Sequence, residues 1–123
     1  MTPSELPFSL PGFEIDDVRE HNGLVEIFAH SIMTEAICPT CQRGSRRVHS
    51  YYQRQPTDLP VSDRRVRLVL AVRRFHCQNE QCPKCTFVER WPDLLVAHAQ
   101  RMKRLDLALQ AVAFALGGQA GQW

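Results

Sequence analysis

Two cysteine clusters constrain this chain more than any other feature: Cys38-Pro39-Thr40-Cys41, and further on Cys77, Cys82 and Cys85. A tight Cys-x2-Cys turn lets two sulfurs reach one ion, and zinc takes four thiolates in a tetrahedron. Two clusters so far apart therefore predict a chain that brings distant segments together at one metal. Four thiolates leave no open coordination position, so the expected zinc ion is structural, and its binding supplies folding free energy on the order of 10 kcal/mol. That is comparable to the whole stability of a small domain. In a reducing cytoplasm disulfides are disfavoured, and such a pattern more often means metal. A redox reading of Cys38 and Cys41 lacks the βαβ surroundings that a thioredoxin-like motif needs.

The residues alone leave the second half of the ligand set open. Cys82-Pro83-Lys84-Cys85 repeats the form of the first knuckle and so selects Cys82 with Cys85, while Cys77 with Cys82 is the competing pair. His49 and His76 are possible nitrogen ligands, subordinate to five available thiols.

Around the clusters the hydrophobic pattern is that of strands. Phe13, Ile15 and Val18 among acidic residues, then Asn22-Gly23, then Leu24 to Ala29, read as a hairpin. Asn-Gly suits a type I′ turn because both central residues need positive φ. Arg46 to Arg54 reads as a strand carrying Val48, Tyr51 and Tyr52, and Pro56 and Pro60 bracket the expected turn. From Arg65 to Phe75, Val66, Leu68, Leu70 and Val72 alternate with Arg65, Arg67, Val69, Ala71 and Arg73, the period of a half-buried strand. The second hairpin thus leaves one knuckle and returns to the other. From about His98 to Leu116, Met102, Leu105, Leu109, Val112 and Leu116 recur at helical spacing, with Gly117-Gly118 as the stop.

Charge is unevenly placed: residues 1–30 hold one basic and six acidic side chains, and the rest hold fourteen and seven. Such asymmetry suggests a basic face for a polyanion. Arg43, Arg46, Arg47, Arg54, Arg64, Arg65, Arg67, Arg73 and Arg74 flank the second turn without a lysine among them. The guanidinium fork makes bidentate contacts to phosphate or guanine that an ammonium does not match, so these are the candidate DNA contacts. Arg101, Lys103 and Arg104 join them at the start of the helix, where positive charge is otherwise mildly unfavourable. The competing reading is a solvated sheet face.

From Cys38 to Gly121 the chain resembles the N-terminal region of ISL-three-type bacterial transposases. The resemblance is carried by Cys38-Pro39-Thr40-Cys41, Arg47-Val48-His49-Ser50-Tyr51, Asp58-Leu59-Pro60 and Val72-Arg73-Arg74-Phe75-His76-Cys77. It continues through Cys82-Pro83, Thr86-Phe87-Val88-Glu89-Arg90 and Leu116-Gly117-Gly118-Gln119-Ala120-Gly121. In that family a zinc-finger domain precedes a helix-turn-helix and a DDE nuclease domain, and the front part recognises transposon ends. The resemblance implies zinc on Cys38, Cys41, Cys77 and Cys82. Cys85 stands where the family usually has another residue, and remains the alternative ligand.

The expectation is a small α+β fold: zinc-ribbon-like antiparallel β hairpins around a four-cysteine zinc site, followed by a C-terminal α-helix. Its parts are an acidic hairpin segment over 1–35, a zinc-binding β domain over 36–95, and a helix over 96–123 that begins a helix-turn-helix. The expected function is binding of double-stranded DNA at transposon ends, with one structural Zn2+ and no catalytic centre in these residues. The rival reading is a protein-interaction or dimerisation module, or a stand-alone relic of a transposase. No apolar run approaches the length of a membrane span and Met1 to Pro11 does not resemble a signal peptide, so the expected place is the bacterial cytoplasm, at the nucleoid. Neither a membrane partner nor a small-molecule substrate is expected.

Overall fold

A computed structural model describes residues 10–96 and 98–117. Its organising element is the alternating run identified above, which forms the 13-residue strand β7 (Arg64–His76). Seven shorter strands precede or follow it: β1 (Phe13–His21), β2 (Leu24–Ser31), β3 (Ala36–Ile37), β4 (Gly44–Ser45), β5 (Val48–Arg54), β6 (Thr57–Val61) and β8 (Thr86–Val88). The helix α1 spans Lys103–Gly117. Among the described residues no helix is long and apolar enough to cross a membrane.

Both edges of β7 are occupied. On one, β5 pairs antiparallel with Leu70 to Phe75 and β6 with Arg64 to Arg67, joined where the Leu68 N–H donates to Pro56 O at 2.9 Å. On the other, β2 pairs with Arg65 to Ala71 and β8 with Arg74 to His76. The β1–β2 hairpin turns at Asn22 (φ 50°) and Gly23 (φ 76°), the backbone that a type I′ turn requires. Its seat is parallel: β2 runs alongside β7 in register Val25–Val66, Ile27–Leu68 and Ala29–Leu70. Parallel neighbours need a long crossover, and here the first knuckle with β3 to β6 supplies it in place of a helix.

The turn expected between Pro56 and Pro60 lies later. Pro60 is inside β6, and the chain reverses at Ser62 (φ 49°) and Asp63 (φ 63°), both left-handed. Two small polar residues that tolerate this backbone outcompete the prolines, whose φ is locked negative.

The pleat of β7 divides its side chains between two cores. Val66, Leu68, Leu70 and Val72 are fully buried on one face, with Val25, Ile27, Ala29, Val61, Leu95 and Met102. Phe75, of opposite parity, packs on the other face with Phe87, Cys38, Cys82 and Ala36. One strand therefore holds an apolar core along its length and a cysteine-rich core at its end.

The helix starts at Lys103, five positions after the expected His98. His98 itself is left-handed (φ 64°), and the residues after it run extended against β6. There the Thr57 N–H donates to Gln100 O at 2.9 Å and the Met102 N–H to Thr57 O at 2.8 Å. Those backbone bonds hold 100–102 out of the helix. Met102 and Leu105 are buried, but the later stripe stands in solvent, from 44 % exposed at Leu109 to 75 % at Leu116. Gly117 ends the described helix; Gly118, the Gln119-Ala120-Gly121 stretch and residues 1–9 lie outside the described residues.

Candidate functional site

Four sulfurs converge at the end of β7. Cys38, Cys41, Cys77 and Cys82 place their Sγ atoms within 4.8 Å of one another. The Cys38–Cys82 and Cys41–Cys77 separations are 3.9 and 3.6 Å. A tetrahedron with Zn–S bonds of ~2.3 Å has edges of about 3.8 Å, whereas a disulfide needs ~2.05 Å. The donor set thus fits one zinc ion and not a pair of disulfides.

Each knuckle is shaped by local backbone bonds. In the first, the Gln42 N–H donates to Cys38 O at 2.8 Å, the Cys38 N–H to Arg43 O at 3.0 Å, and Gln42 is left-handed (φ 62°). Pairing of Ala36 with Ser45 closes its base. In the second, the Cys77 N–H donates to Cys85 O at 2.7 Å and the Cys82 N–H to Asn79 O at 3.0 Å. The left-handed residue here is Cys85 itself (φ 62°), and its exposed thiol donates to Pro83 O at 3.7 Å. Sequence symmetry equates Cys85 with Cys41, but by backbone conformation it is the counterpart of Gln42. His49 and His76 meet each other edge to face at 4.7 Å and stand outside the sulfur group.

The thiols titrate as a coupled set. The Arg43 N–H on Cys41 is the largest influence there and brings its thiol down to about 6, against the opposing effect of burial. For Cys38 burial pushes up, but N–H groups of Cys41 and Thr40 outweigh it and the thiol is lowered. At Cys77 the Asn79 N–H pulls down, yet burial and the sulfurs of Cys41, Cys38 and Cys82 together push it up to about 12. Cys82 is also raised: the Lys84 N–H lowers it, and burial with the sulfurs of Cys41 and Cys38 prevails. Backbone dipoles therefore favour thiolates, while mutual repulsion stops all four from ionising together. A divalent cation removes that conflict.

Two buried ion pairs brace the sheet, one near the site and one toward the start of β7. Glu89, beyond β8, accepts from Arg73 Nη2 at 3.0 Å, from the Arg73 N–H at 2.8 Å and from Ser31 Oγ at 2.7 Å. Arg73 also reaches Met33 O, linking β7 to the strand end before the first knuckle. Asp58, fully buried, accepts from Arg104 Nε at 2.8 Å and from the Leu59 N–H at 2.7 Å, docking α1 on β6. Charge and burial alone give little sign of either carboxylate in the sequence. Both do sit in stretches that carry the family resemblance, Asp58-Leu59-Pro60 and Thr86 to Arg90.

The basic residues are spread over several surfaces. Arg64, Arg67, Arg46 and Arg101 pair with Glu20, Glu26, Glu35 and Asp106. Lys103 Nζ donates to Pro92 O at 3.3 Å. Arg54 donates to Val96 O and Ala99 O, and Arg74 lies over the Tyr52 ring. Arg43, Arg47 and Arg65 are exposed and have no ion pair among the described residues. Tyr51 is 70 % exposed, whereas Tyr52 is half-buried.

Residues 34–85 match the family described as the zinc-finger of transposase IS204/IS1001/IS1096/IS1165. No curated protein and no solved structure matches the chain. The matched span runs from just before the first knuckle to Cys85 and takes in all four converging sulfurs. Residues 34–85 are thus similar to the zinc-finger of ISL3-type transposases, and the four-cysteine centre within them is consistent with one structural zinc ion.

Proposed function

We propose that this chain is a DNA-binding front part of an ISL3-type transposase, holding double-stranded transposon ends for strand-cutting chemistry done by other residues. Zinc on Cys38, Cys41, Cys77 and Cys82 ties both knuckles to the end of β7 and so fixes the strands that carry the arginines. The observation that carries this reading is the family match over a span whose sulfurs converge with zinc-like spacing. Among the described residues that group is the only set of three or more His, Cys, Asp or Glu side chains close enough to share an ion.

Phosphate contacts dominate affinity, and a few arginines supply any base reading. Arg43, Arg47 and Arg65 are open for contact; Arg46, Arg64, Arg67, Arg101 and Lys103 exchange a surface partner for phosphate. Arg73 and Arg104 serve instead through the buried pairs with Glu89 and Asp58. With about six phosphate contacts, affinity falls with salt at a log–log slope of roughly −5. Fluorescence anisotropy of zinc-loaded chain on end-sequence and random duplexes, across a salt series, tests this. No binding at low salt overturns it.

A second reading is favoured by one observation. Leu107, Leu109, Val112, Phe114 and Leu116 are all exposed on α1, an apolar surface that suits contact with another chain. Light scattering across a concentration series distinguishes the two, since a self-associating helix gives a mass that rises with concentration.

A further inference from the structure

Three arginines without a carboxylate partner among the described residues line a single cavity, and we propose that this cavity is a phosphate pocket that receives a backbone phosphate of bound nucleic acid, an assignment that rests on the nucleic-acid reading above. The cavity, about 150 Å3, lies beside the end of the apolar core and is lined by Tyr52, Arg54, Arg74, Val88, Arg90 and His98, with Leu95 and Glu89 completing its wall. Its position follows from strand register. Arg74 lies beside Ser50 and Val88, and Tyr52 and Arg54 lie beside Val72 and Leu70. All of these share the face of β7 that holds the apolar core, on the reverse of Phe75 and the zinc centre.

The charge balance sets this place apart. Arg46, Arg64, Arg67, Arg73, Arg101 and Arg104 each have a carboxylate partner. Arg54, Arg74 and Arg90 have none among the described residues, although they line one concavity. Glu89 is the carboxylate in the wall, and its oxygens are already engaged by Arg73 and Ser31. Three positive charges in a concave site with apolar walls repel one another and focus their field on whatever anion enters. Arginine suits a phosphate there because it donates two parallel N–H bonds.

The pocket is also held in shape. Arg54 Nη2 donates to Ala99 O at 2.7 Å and Val96 O at 3.2 Å, which ties the loop bearing His98 to β5. Arg74 is braced over the Tyr52 ring, 5.9 Å from its centroid. Burial pushes the Tyr52 phenol up, so its hydroxyl stays a neutral donor. Val88 and Leu95 contribute apolar surface to its lining.

The test compares two pairs of charge deletions in the zinc-loaded full chain. Arg74→Ala with Arg90→Ala empties the pocket of two charges; Arg43→Ala with Arg65→Ala removes two exposed charges elsewhere. The pocket pair is expected to weaken duplex binding about tenfold to hundredfold, the control pair about threefold. Equal losses overturn the proposal. Arg90→Ala alone, at an exposed side chain, repeats the test without disturbing packing, and zinc content with a thermal melt checks the fold of each variant. NMR titration with inorganic phosphate supplies a readout independent of duplex. Saturable shifts of the Arg74 and Arg90 side-chain N–H groups and the His98 amide support an anion pocket. No shifts, or shifts spread equally to Arg43 and Arg65, overturn it. Wild-type chain that binds no duplex but shows those localised shifts overturns the DNA reading and leaves the phosphate pocket standing.

Discussion

The two faces of β7 end in cores of different kinds. Along one face, Val66, Leu68, Leu70 and Val72 meet partners from β1, β2, β6 and the 95–102 segment, and apolar contact alone holds them. On the other, Phe75 and Phe87 pack with Cys38, Cys82 and Ala36, a smaller cluster that includes two of the four converging cysteines. The first core draws on the hydrophobic effect, which grows with buried area. The second concentrates its stability in a few sulfur–metal bonds, because short knuckles have little apolar surface to bury. A single strand thus couples an apolar core to one built around the four converging sulfurs.

That contrast is broken or sharpened by a graded series of experiments. The largest effect is expected from Cys38→Ser, or from a strong chelator, which removes zinc binding on the order of 10 kcal/mol. Hydrogen exchange is expected to show β3, β4 and β8 losing protection while the β2–β7 ladder at Val66 to Leu70 keeps it. Uniform loss would show that the two cores form one cooperative unit. Cys85→Ser is expected to keep a full zinc complement by metal analysis, since its sulfur faces away from the cluster.

Acidity acts on the same half. Cys77, at about 12, keeps its proton at neutral pH in the metal-free chain, while Cys41, at about 6, has mostly lost its own. Zinc must displace the Cys77 proton at every pH below that value, so apparent affinity rises with pH. Calorimetry at pH 7 in buffers of different ionisation enthalpy is expected to show protons released on zinc binding, above all from the raised Cys77 and Cys82. Release of none would mean that the thiolates are already formed.

Smaller effects follow within the sheet. Arg73→Ala leaves the Glu89 carboxylate buried without its cation and is expected to cost about 3–5 kcal/mol by chemical denaturation. Leu68→Ala, in the apolar core, is expected to cost about 2–5 kcal/mol without changing zinc content. Arg65→Ala removes an exposed side chain and is expected to change stability by less than about 0.5 kcal/mol. A loss of zinc in Leu68→Ala would show that the two faces of β7 are not separable.

Local features of the fold were legible in the order of the residues. The Asn22-Gly23 hairpin, the alternating strand β7 and both cysteine knuckles follow from period and turn chemistry, which neighbouring residues settle among themselves. Two boundaries moved, one through turn chemistry and one through tertiary contact. The reversal sits at Ser62 and Asp63 rather than between the prolines, and the helix begins at Lys103 because residues 100–102 bond to Thr57. Only the second shift leaves no local trace.

By itself, then, the sequence determined that a small α+β chain would close cysteine knuckles around one metal beside an arginine-rich strand, since spacing and alternation are local properties. Only the tertiary structure decided that β2 lies parallel to β7, which sulfurs converge, and that Arg73 and Arg104 are spent inside the fold. Those outcomes depend on which distant segments become neighbours, and on the left-handed turn at Cys85 that points one thiol outward. Charge, hydropathy and spacing along a chain do not encode a partner that arrives from another strand.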